Sequence, residues 1–462
     1  MLMGALTSTI FRAYDVRGTY PDQLNREVVE ALGRAIGTYA RQQGQTTVVT
    51  ARDGRLSGPV LQEALNRGLI KAGVDVIDIG MVPTPVLYFA ALAIGTGSGV
   101  MVTGSHNPPD YNGFKMMIGG HTLYGDDILG LYEAIQAGDL VEGEGSISEA
   151  DALTPYLEQV VSDIRLEKPL RIAIDCGNGV AGVCAQTLFE QLGCDVVPLY
   201  TAVDGTFPNH HPDPSKPENL SDLTATVKTQ HCNVGLAFDG DGDRVGVITE
   251  RGESIFADRL LMLLSEDVLS RNAGATVIYD VKCSRHLGPV IERAGGQPLM
   301  WKTGHSLVKA KMKETGALLA GEMSGHIFFK ERWLGFDDGL YTAARLLEIF
   351  SKSDKPVSIL FGGIPDDVST PELNIEVADT EKFAIVERVA SIIRAEGLPL
   401  STIDGVRVDL DSGWGLIRCS NTTPNLVLRF EAESTEALET IQSTMLNALK
   451  QAEPKLELES LC

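Results

Sequence analysis

The stretch TTVVTARDGR (46–55), followed by LQEALNRGLIKAG (61–73) and VDVIDIG (74–80), decides the fold of this chain. It contains an apolar strand that ends in Asp53, a turn with a glycine, a helix with an apolar stripe, and a second strand. Its strands are continuous apolar runs, which are typical of a parallel sheet covered by helices on both faces. The stretch therefore predicts a βαβ unit of an α/β domain.

The same order of elements occurs twice more, over 170–200 and 275–301. In these repeats Asp175 and Asp280 stand where the first repeat has Asp53. Self-similarity along a chain indicates repeated structural units. We therefore predict three similar α/β domains with mixed, mostly parallel sheets.

The pattern changes after about residue 366, where a helix near 382–397 precedes three short strands and a final helix near 435–451. This arrangement predicts a C-terminal α+β domain with antiparallel strands. The four predicted domains, arranged around a central cleft, are 1–150, 151–253, 254–365 and 366–462.

The composition argues against several classes of function. The chain has 462 residues, with 62 acidic and 39 basic residues and a net charge of −23, which disfavours nucleic acid and anionic membranes as partners. Its longest apolar run, 86–94, is about half of what a membrane span needs. Seven cysteines without CxxC spacing indicate neither a disulfide framework nor a zinc ribbon. We expect a soluble, cytoplasmic protein.

Each repeat then ends in a strand that runs into an unusual loop. These loops are TGSHNP at the end of 98–108, DGDGDR at the end of 233–244 and GEMSGH at the end of 316–326. Ligands of open α/β sheets gather beyond the carboxyl ends of the strands. Three equivalent loops with three different chemistries therefore predict one shared cleft.

The second loop carries Asp239, Asp241 and Asp243 at alternate positions. Three carboxylates form a hard, oxygen-only ligand set that favours Mg²⁺ or Mn²⁺. An EF-hand would explain Glu250 at the twelfth position, but Arg244 stands where that loop needs glycine. A merely solvated acidic turn is the structural alternative.

Ser105 in TGSHNP follows a buried strand, and no GxSxG motif surrounds it. A serine can carry a phosphoryl group where a divalent ion and nearby cations neutralise the charge. Lys115 and Arg244 are the candidate cations. A serine in an ordinary polar loop is the alternative interpretation.

Two further loops require interpretation. RCSNTTP (418–424), with Arg429 on the next strand, offers the donors that suit a phosphate, although a simple turn would explain it too. The segment 177–182 fits GxGxxG and is followed by Asp204, which suits a dinucleotide site. The other two repeats have no glycine-rich turn there, so close packing of a helix is the favoured interpretation.

The four loops in this order resemble those of the α-D-phosphohexomutases. FRAYDVRG (11–18) and TGHSLVKAKMK (303–313) resemble the bacterial phosphomannomutase/phosphoglucomutase branch in particular. The resemblance covers essentially the whole chain. It implies that Ser105 becomes a phosphoserine and that one Mg²⁺ per chain is held by the seryl phosphate and the three aspartates.

The resemblance also implies roles for other residues. Arg17 and Lys115 are implied as proton-transfer or charge-stabilising groups, and Cys419 stands where the family commonly has alanine. The implied substrate-binding residues are Tyr14, Arg244, Lys282, His305, Glu322, Met323, Ser324, Gly325, His326, Arg418, Cys419, Ser420, Asn421, Thr422 and Arg429.

The implied activity is reversible interconversion of hexose 1-phosphate and hexose 6-phosphate, with a hexose 1,6-bisphosphate that reorients in the site. Glucose 1,6-bisphosphate is then an activator as well as an intermediate. GEMSGH resembles the branch that takes mannose and glucose phosphates, and the two sugars stay unranked. A metal-dependent sugar phosphatase, an NAD-dependent oxidoreductase and a non-catalytic sugar-phosphate binder remain alternatives. A monomer is expected, although the sequence does not determine the oligomeric state.

Overall fold

The computed structural model describes residues 6–421 and 423–458. Its first elements are β1 (Val16–Thr19), α1 (Arg26–Gln42), β2 (Thr47–Arg52), α2 (Gly58–Lys71), β3 (Asp75–Met81), α3 (Thr84–Ala93), β4 (Gly99–Val102), β5 (Tyr111–Ile118), β6 (His121–Thr122), α4 (Asp126–Ala137) and β7 (Ile147–Glu149). Next come α5 (Leu153–Asp163), β8 (Arg171–Asp175), α6 (Ala185–Gln191), β9 (Asp195–Leu199), α7 (Ser221–Thr229), β10 (Val234–Phe238), β11 (Val245–Thr249) and β12 (Ser254–Ile255).

The third series is α8 (Ala257–Arg271), β13 (Thr276–Asp280), α9 (Leu287–Arg293), β14 (Gln297–Trp301), α10 (His305–Thr315), β15 (Leu319–Gly321), β16 (Ile327–Phe329), α11 (Gly339–Ser351) and α12 (Val357–Phe361). The last is β17 (Val368–Ser369), β18 (Leu373–Glu376), α13 (Lys382–Ala395), β19 (Leu400–Ser401), β20 (Val406–Leu410), β21 (Gly413–Cys419), β22 (Asn425–Ala432) and α14 (Thr435–Ala452). Short 3₁₀ helices lie at Ser8–Ile10, Val180–Val183 and Pro217–Leu220.

Residue contacts divide the described chain into two compact units. The first unit comprises the described residues up to Ala257, together with His305–Leu319 and Ser324–Gly362. The second comprises Asp258–Gly304, Ala320–Met323 and the described residues from Gly363 onward.

The first unit contains two mixed sheets. One has the strand order β1-β5-β4-β2-β3-β7, in which β2 runs parallel to both β3 and β4. The other has the order β12-β11-β10-β8-β9, in which β8 runs parallel to both β9 and β10. In both sheets the parallel strands at the centre are those of the sequence repeat. The loop that contains Ser105 leads from β4 to the antiparallel strand β5, and the loop that contains the three aspartates leads from β10 to the antiparallel strand β11.

Local sequence explains the helices of the first repeat. The Asn25 side chain caps α1 by accepting a hydrogen bond from the Val28 amide at 3.0 Å. The predicted apolar stripe of α2 is confirmed, because Leu61, Leu65 and Leu69 are buried in the core that α1 shares. Burial of such a stripe supplies most of the stability of a helix in a folded domain.

The second unit contains the parallel pair β13–β14 and a separate antiparallel sheet with the order β17-β22-β21-β20-β19. Helices α13 and α14 pack on this sheet through apolar residues such as Val389 and Met445. The antiparallel α+β pattern predicted for the C-terminal region is therefore confirmed. None of the helices in the described part of the chain is long and apolar enough to cross a membrane.

Candidate active site

The serine loop follows the buried strand β4 and brings Ser105 toward the second repeat. Ser105 is 2% exposed and has a left-handed φ of 48°. Its Oγ donates a hydrogen bond to Asp239 Oδ2 at 3.0 Å, and it lies 3.2 Å from His106 Nδ1. The first and second predicted loops therefore meet in the first unit.

The acidic loop follows β10 and is fully buried, so it is not a solvated turn. Asp239, Asp241 and Asp243 are each 0% exposed, and one carboxylate oxygen from each lies within 4.8 Å of the others. Lys115 Nζ donates to Asp241 Oδ2 at 2.7 Å and also to Asp243 Oδ2. Thr84 donates to Asp241 Oδ2 at 2.6 Å.

Charge and burial shift the pKa values in this cluster. Burial, followed by the charges of Asp241 and Asp243, raises the pKa of Asp239 well above its usual range. Burial alone would lower the pKa of Lys115, but the two carboxylates that it contacts raise it well above the usual range. Lys115 therefore stays protonated at neutral pH.

The residues of this cluster fit a divalent cation. Within the described ranges, no group donates a hydrogen bond to the buried Asp241 Oδ1. An unpaired carboxylate oxygen in a cluster of three aspartates is costly unless a cation compensates it. An oxygen-only ligand set is the one that Mg²⁺ prefers.

The loop GEMSGH (321–326), called the sugar loop for the role that the resemblance implies, contacts this site through His326. His326 Nε2 lies 3.3 Å from Asp243 Oδ1 and 3.2 Å from Arg244 Nε. Ser324 Oγ lies 2.8 Å from His326 Nδ1, and the carbonyl of Gly325 accepts a hydrogen bond from Val245 N. These contacts join the sugar loop to the acidic loop.

Three other predicted residues of the first unit lie nearby. The rings of His305 and His326 stack at 5.8 Å, and Tyr14 meets His305 edge-on at 6.1 Å. Burial, followed by the charge of Lys309, lowers the pKa of His305 well below its usual range. Arg17 donates through Nε to Asp15 Oδ2 at 3.0 Å.

In the second unit, Lys282 and Glu322 occupy buried positions. Lys282 Nζ donates to Glu372 Oε2 at 2.9 Å. Glu322 Oε1 accepts a hydrogen bond from the Gly304 amide at 2.5 Å. The Met323 amide donates to Asp280 Oδ1 at 3.3 Å, so the main chain of the sugar loop is anchored at this point.

The phosphate loop of the second unit connects β21 and β22. Arg418 pairs with Asp404 through Nε at 3.1 Å, and Arg429 Nη2 lies 3.9 Å from Asp258. The Ser420 amide donates a hydrogen bond to the carbonyl of Asn425, the first residue of β22, at 2.8 Å, and Asn421 follows Ser420 in the turn. Thr422 lies outside the described residues.

Cys419 is the last residue of β21 and is buried. Its side chain belongs to the apolar core of the C-terminal region. Burial raises the pKa of its thiol to about 11. The substrate-binding role that the resemblance implies for Cys419 stays a prediction.

The arrangement in the first unit suits phosphoryl transfer. A serine hydroxyl donates to one aspartate of a cluster that fits a divalent cation, and a protonated lysine donates to the other two. Phosphoryl transfer depends mainly on positioning and charge stabilisation, which these groups supply. The glycine-rich segment 177–182 has a packing role instead, because a Cβ at Gly182 would lie 2.0 Å from Thr201 O.

Known families match the chain from end to end. Phosphoglucomutase/phosphomannomutase alpha/beta/alpha domains I, II and III match residues 8–142, 154–252 and 256–367, and the C-terminal domain matches 372–448. The chain belongs to the phosphoglucomutase/phosphomannomutase family. This membership confirms the predicted fold class and the predicted α-D-phosphohexomutase resemblance.

Relatives of this family span the whole chain. A phosphomannomutase/phosphoglucomutase of Pseudomonas aeruginosa is 56% identical over 451 residues, covering 98% of this chain and 97% of the relative. A phosphoglucomutase of Neisseria gonorrhoeae is 52% identical over 445 residues, covering 96% of each chain. The crystal structure of a phosphoglucomutase/phosphomannomutase family protein from Burkholderia thailandensis is 54% identical, with a TM-score of 0.93 and coverage of 98% of this chain and 99% of that one.

Sequence reasoning missed a buried lysine near the predicted residues of each unit. Lys309 bonds Asp337 at 2.8 Å and lies 3.2 Å from His305 Nδ1. Its position one helical turn after His305 on α10 is a signal that could have found it. Lys382 donates to the carbonyl of Ser420 at 2.6 Å, and no local motif indicates that contact.

Proposed function

We propose that this chain is a phosphohexomutase that reversibly interconverts hexose 1-phosphate and hexose 6-phosphate. The observation that carries the proposal is the distance of 3.0 Å between Ser105 Oγ and Asp239 Oδ2, beside a buried carboxylate triad, in a chain of this family. Mannose and glucose phosphates are the proposed substrates, as the names of the relatives suggest.

The proposed reaction moves one phosphoryl group in each half. Phosphorylated Ser105 transfers its group to a hydroxyl of the hexose phosphate: the P–Oγ bond breaks and a P–O bond to the sugar forms. Over this half-reaction the sugar hydroxyl loses a proton and Ser105 Oγ gains one, which restores the serine hydroxyl. The resulting 1,6-bisphosphate turns over, and its other phosphoryl group returns to Ser105 Oγ. Mg²⁺ held by Ser105, Asp239, Asp241 and Asp243 would supply positive charge to the transferring group.

Charge stabilisation is the role that we propose for the cations of the first unit. Lys115 has a raised pKa and two carboxylate partners, so it is better suited to stabilise charge than to accept a proton. Arg17 pairs with Asp15 and has the same limitation, because a guanidinium is a poor base.

We also propose binding roles for the other residues that the resemblance implies. Lys282, His305, Glu322 and the loop residues Met323 to His326 bind the sugar, with Tyr14 and Arg244. Arg418, Ser420, Asn421, Thr422 and Arg429 bind the phosphate that is not reacting. We further propose glucose 1,6-bisphosphate as activator, domain boundaries at 150, 253 and 365, a cytoplasmic location, a monomeric state and a supply of sugar phosphates for nucleotide-sugar synthesis.

Mass spectrometry with product analysis tests this function. Purified protein is incubated with Mg²⁺ and glucose 1,6-bisphosphate, and the phosphorylated peptide is identified. Glucose 1-phosphate or mannose 1-phosphate is then added, and hexose 6-phosphate and inorganic phosphate are measured separately. Ser98→Ala is a matched control for Ser105→Ala, because Ser98 is a buried serine that precedes the same strand.

The proposal requires phosphate on Ser105, formation of the 6-phosphate, and loss of both in Ser105→Ala but not in Ser98→Ala. Release of inorganic phosphate without the 6-phosphate isomer would identify a phosphatase instead. Absence of any turnover by a Ser105-phosphorylated, folded enzyme with either sugar would exclude the mutase assignment.

A further inference from the structure

The repeat aspartate of the first domain has no role in the reaction described so far. Asp53 directly follows β2, and Arg55 lies in the turn before α2. The Arg55 side chain is 0% exposed, so it does not reach solvent or a ligand. A buried guanidinium with five donors is retained in a fold only where acceptors surround it.

The acceptors of Arg55 belong to the serine loop. Its Nη2 donates to the carbonyls of Ser105 and Asn107 at 2.7 and 2.6 Å. Its Nη1 donates to the carbonyls of Pro108 and Tyr111 at 2.5 and 2.9 Å. One side chain thus fixes four carbonyl groups along the loop that carries the nucleophile.

Asp53 also bonds the serine loop, and we call Arg55 and Asp53, with their hydrogen bonds to this loop, the clamp. Its Oδ2 accepts hydrogen bonds from Arg55 Nε at 3.2 Å, from Thr103 Oγ1 at 2.7 Å and from the Gly104 amide at 3.2 Å. Thr103 Oγ1 in turn accepts from the Ser105 amide at 2.8 Å. The loop is therefore held through its amides as well as its carbonyls.

Two features of the loop depend on this clamp. A Cβ on Gly104 would lie 2.4 Å from Arg55 Cζ, so only glycine lets the guanidinium reach this depth. Ser105 has a φ of 48°, which is uncommon for a residue other than glycine and persists only where its surroundings hold it.

We propose that Arg55, paired with Asp53, is a positioning residue that sets the place of Ser105 Oγ for phosphoryl transfer. This inference rests on the proposed role of Ser105 as phosphoryl carrier. Arg55 acts through the loop main chain, because its own side chain is enclosed.

In the second unit, the aspartate of the third repeat also anchors a loop, although Lys282 stands where the first repeat has Arg55. Asp280, which stands where the first repeat has Asp53, accepts hydrogen bonds from Thr303 Oγ1 at 2.9 Å and from the Met323 amide at 3.3 Å. The aspartate at the end of the repeat strand thus anchors the functional loop after a later strand in both repeats. In the second repeat Asp175 differs, because it accepts a hydrogen bond from the Gly177 amide at 2.9 Å and lies 3.0 Å from His210 Nε2.

Arg55→Lys tests the proposal, because lysine keeps the charge beside Asp53 but loses the planar fork. We expect kcat to fall about 10- to 100-fold with KM within about twofold, since small displacements of a reacting group cost rate rather than binding. Hydrogen exchange of the peptide over 103–111 should become faster. Arg345→Lys is the matched control, because Arg345 is a 0% exposed arginine that pairs with Glu331.

The control should lose stability without a change in kcat at temperatures below its unfolding transition. Thr103→Val provides a second variant if Arg55→Lys does not fold, since it removes only the link between Asp53 and the Ser105 amide. Wild-type kcat and unchanged exchange in a folded Arg55→Lys or Thr103→Val protein would overturn the proposal. Phosphorylation of Ser105 in the wild-type protein is measured separately, so failure of the carrier role is distinguished from failure of the clamp.

Discussion

Asp241→Asn should separate function from stability in the acidic loop. Asp241 repels two carboxylates whose oxygens lie within 4.8 Å, which costs about 3–4 kcal/mol for each pair at an effective dielectric constant of about 20. Its ion pair with Lys115 at 2.7 Å contributes about 6 kcal/mol of attraction on the same scale. Because these terms nearly cancel, removing the charge should change the free energy of unfolding by less than about 2 kcal/mol.

The same change should abolish most of the activity. Loss of a carboxylate ligand weakens the binding of the divalent ion, and a lost charge-stabilising contact typically costs about 100-fold or more in kcat. Metal-linked stability gives an independent measurement, because Mg²⁺ at 100 times its Kd stabilises a folded protein by about 2.7 kcal/mol. We expect this increment in urea unfolding of the wild type and a much smaller one in the variant.

Urea unfolding with EDTA and with Mg²⁺, combined with steady-state kinetics at saturating Mg²⁺, checks this prediction. Asp163→Asn is the control, because Asp163 is a carboxylate of the same unit that pairs with Arg332 and accepts from Tyr341 Oη. It should lose stability but keep its response to Mg²⁺. A destabilisation of Asp241→Asn by several kcal/mol in EDTA, or an unchanged kcat, would refute the electrostatic reasoning.

Three other predictions follow from contacts of charged side chains in the structure. Glu372→Gln should lower KM for the hexose phosphate about fivefold, because a half-exposed carboxylate that competes for Lys282 contributes about 1 kcal/mol, and initial-rate kinetics will check this. Burial alone would lower the pKa of His210, but its hydrogen bond to Asp175 raises it, so this contact stabilises the fold below about pH 6.5 and the effect fades as pH rises through the folded pKa. His210→Gln should therefore lose about 1–2 kcal/mol at pH 5.5 and less at pH 9 in urea unfolding. Lys382→Met should raise KM about tenfold and leave kcat nearly unchanged, because it removes the donor that orients two carbonyls of the phosphate loop.

The parts of this protein that local sequence encodes could be predicted. Apolar runs and residues at helical spacing predict the repeats. The alternate positions of Asp239, Asp241 and Asp243 predict the acidic loop. Such features depend on neighbours within about ten residues, so they can be read along the chain. Contacts between residues that are distant in the sequence cannot be predicted in this way. Glu250, for example, accepts a hydrogen bond from the Ser358 amide, 108 positions away.

The missed groups have partners that are distant in sequence. Arg55 belongs to the stretch 46–55 that indicated the fold. The carbonyls that accept its hydrogen bonds, such as those of Ser105 and Pro108, come after β3 and β4 in the chain. Nothing in the letters ARDGR distinguishes a loop clamp from an exposed arginine. Contacts of this kind depend on the sheet order, in which β2 and β4 are neighbours although two helices and another strand separate them in the chain.

The ion pairs explain how a chain with a net charge of −23 can bind phosphorylated sugars. Every cation proposed for the site has a carboxylate close to it: Arg17 with Asp15, Lys115 with Asp241 and Asp243, Arg244 with Asp239, Lys282 with Glu372, Arg418 with Asp404 and Arg429 with Asp258. Before the ligand binds, each cation is compensated by its carboxylate partner, so no positive charge is left unpaired. A phosphate that binds such a cation either displaces that carboxylate or shares the cation with it. The cost of losing that carboxylate lowers affinity for the first phosphate contact. The proposed 1,6-bisphosphate intermediate must leave one orientation and bind in the other. A moderate affinity suits this reorientation, whereas an excess of unpaired cations would bind the intermediate too tightly for it to turn over.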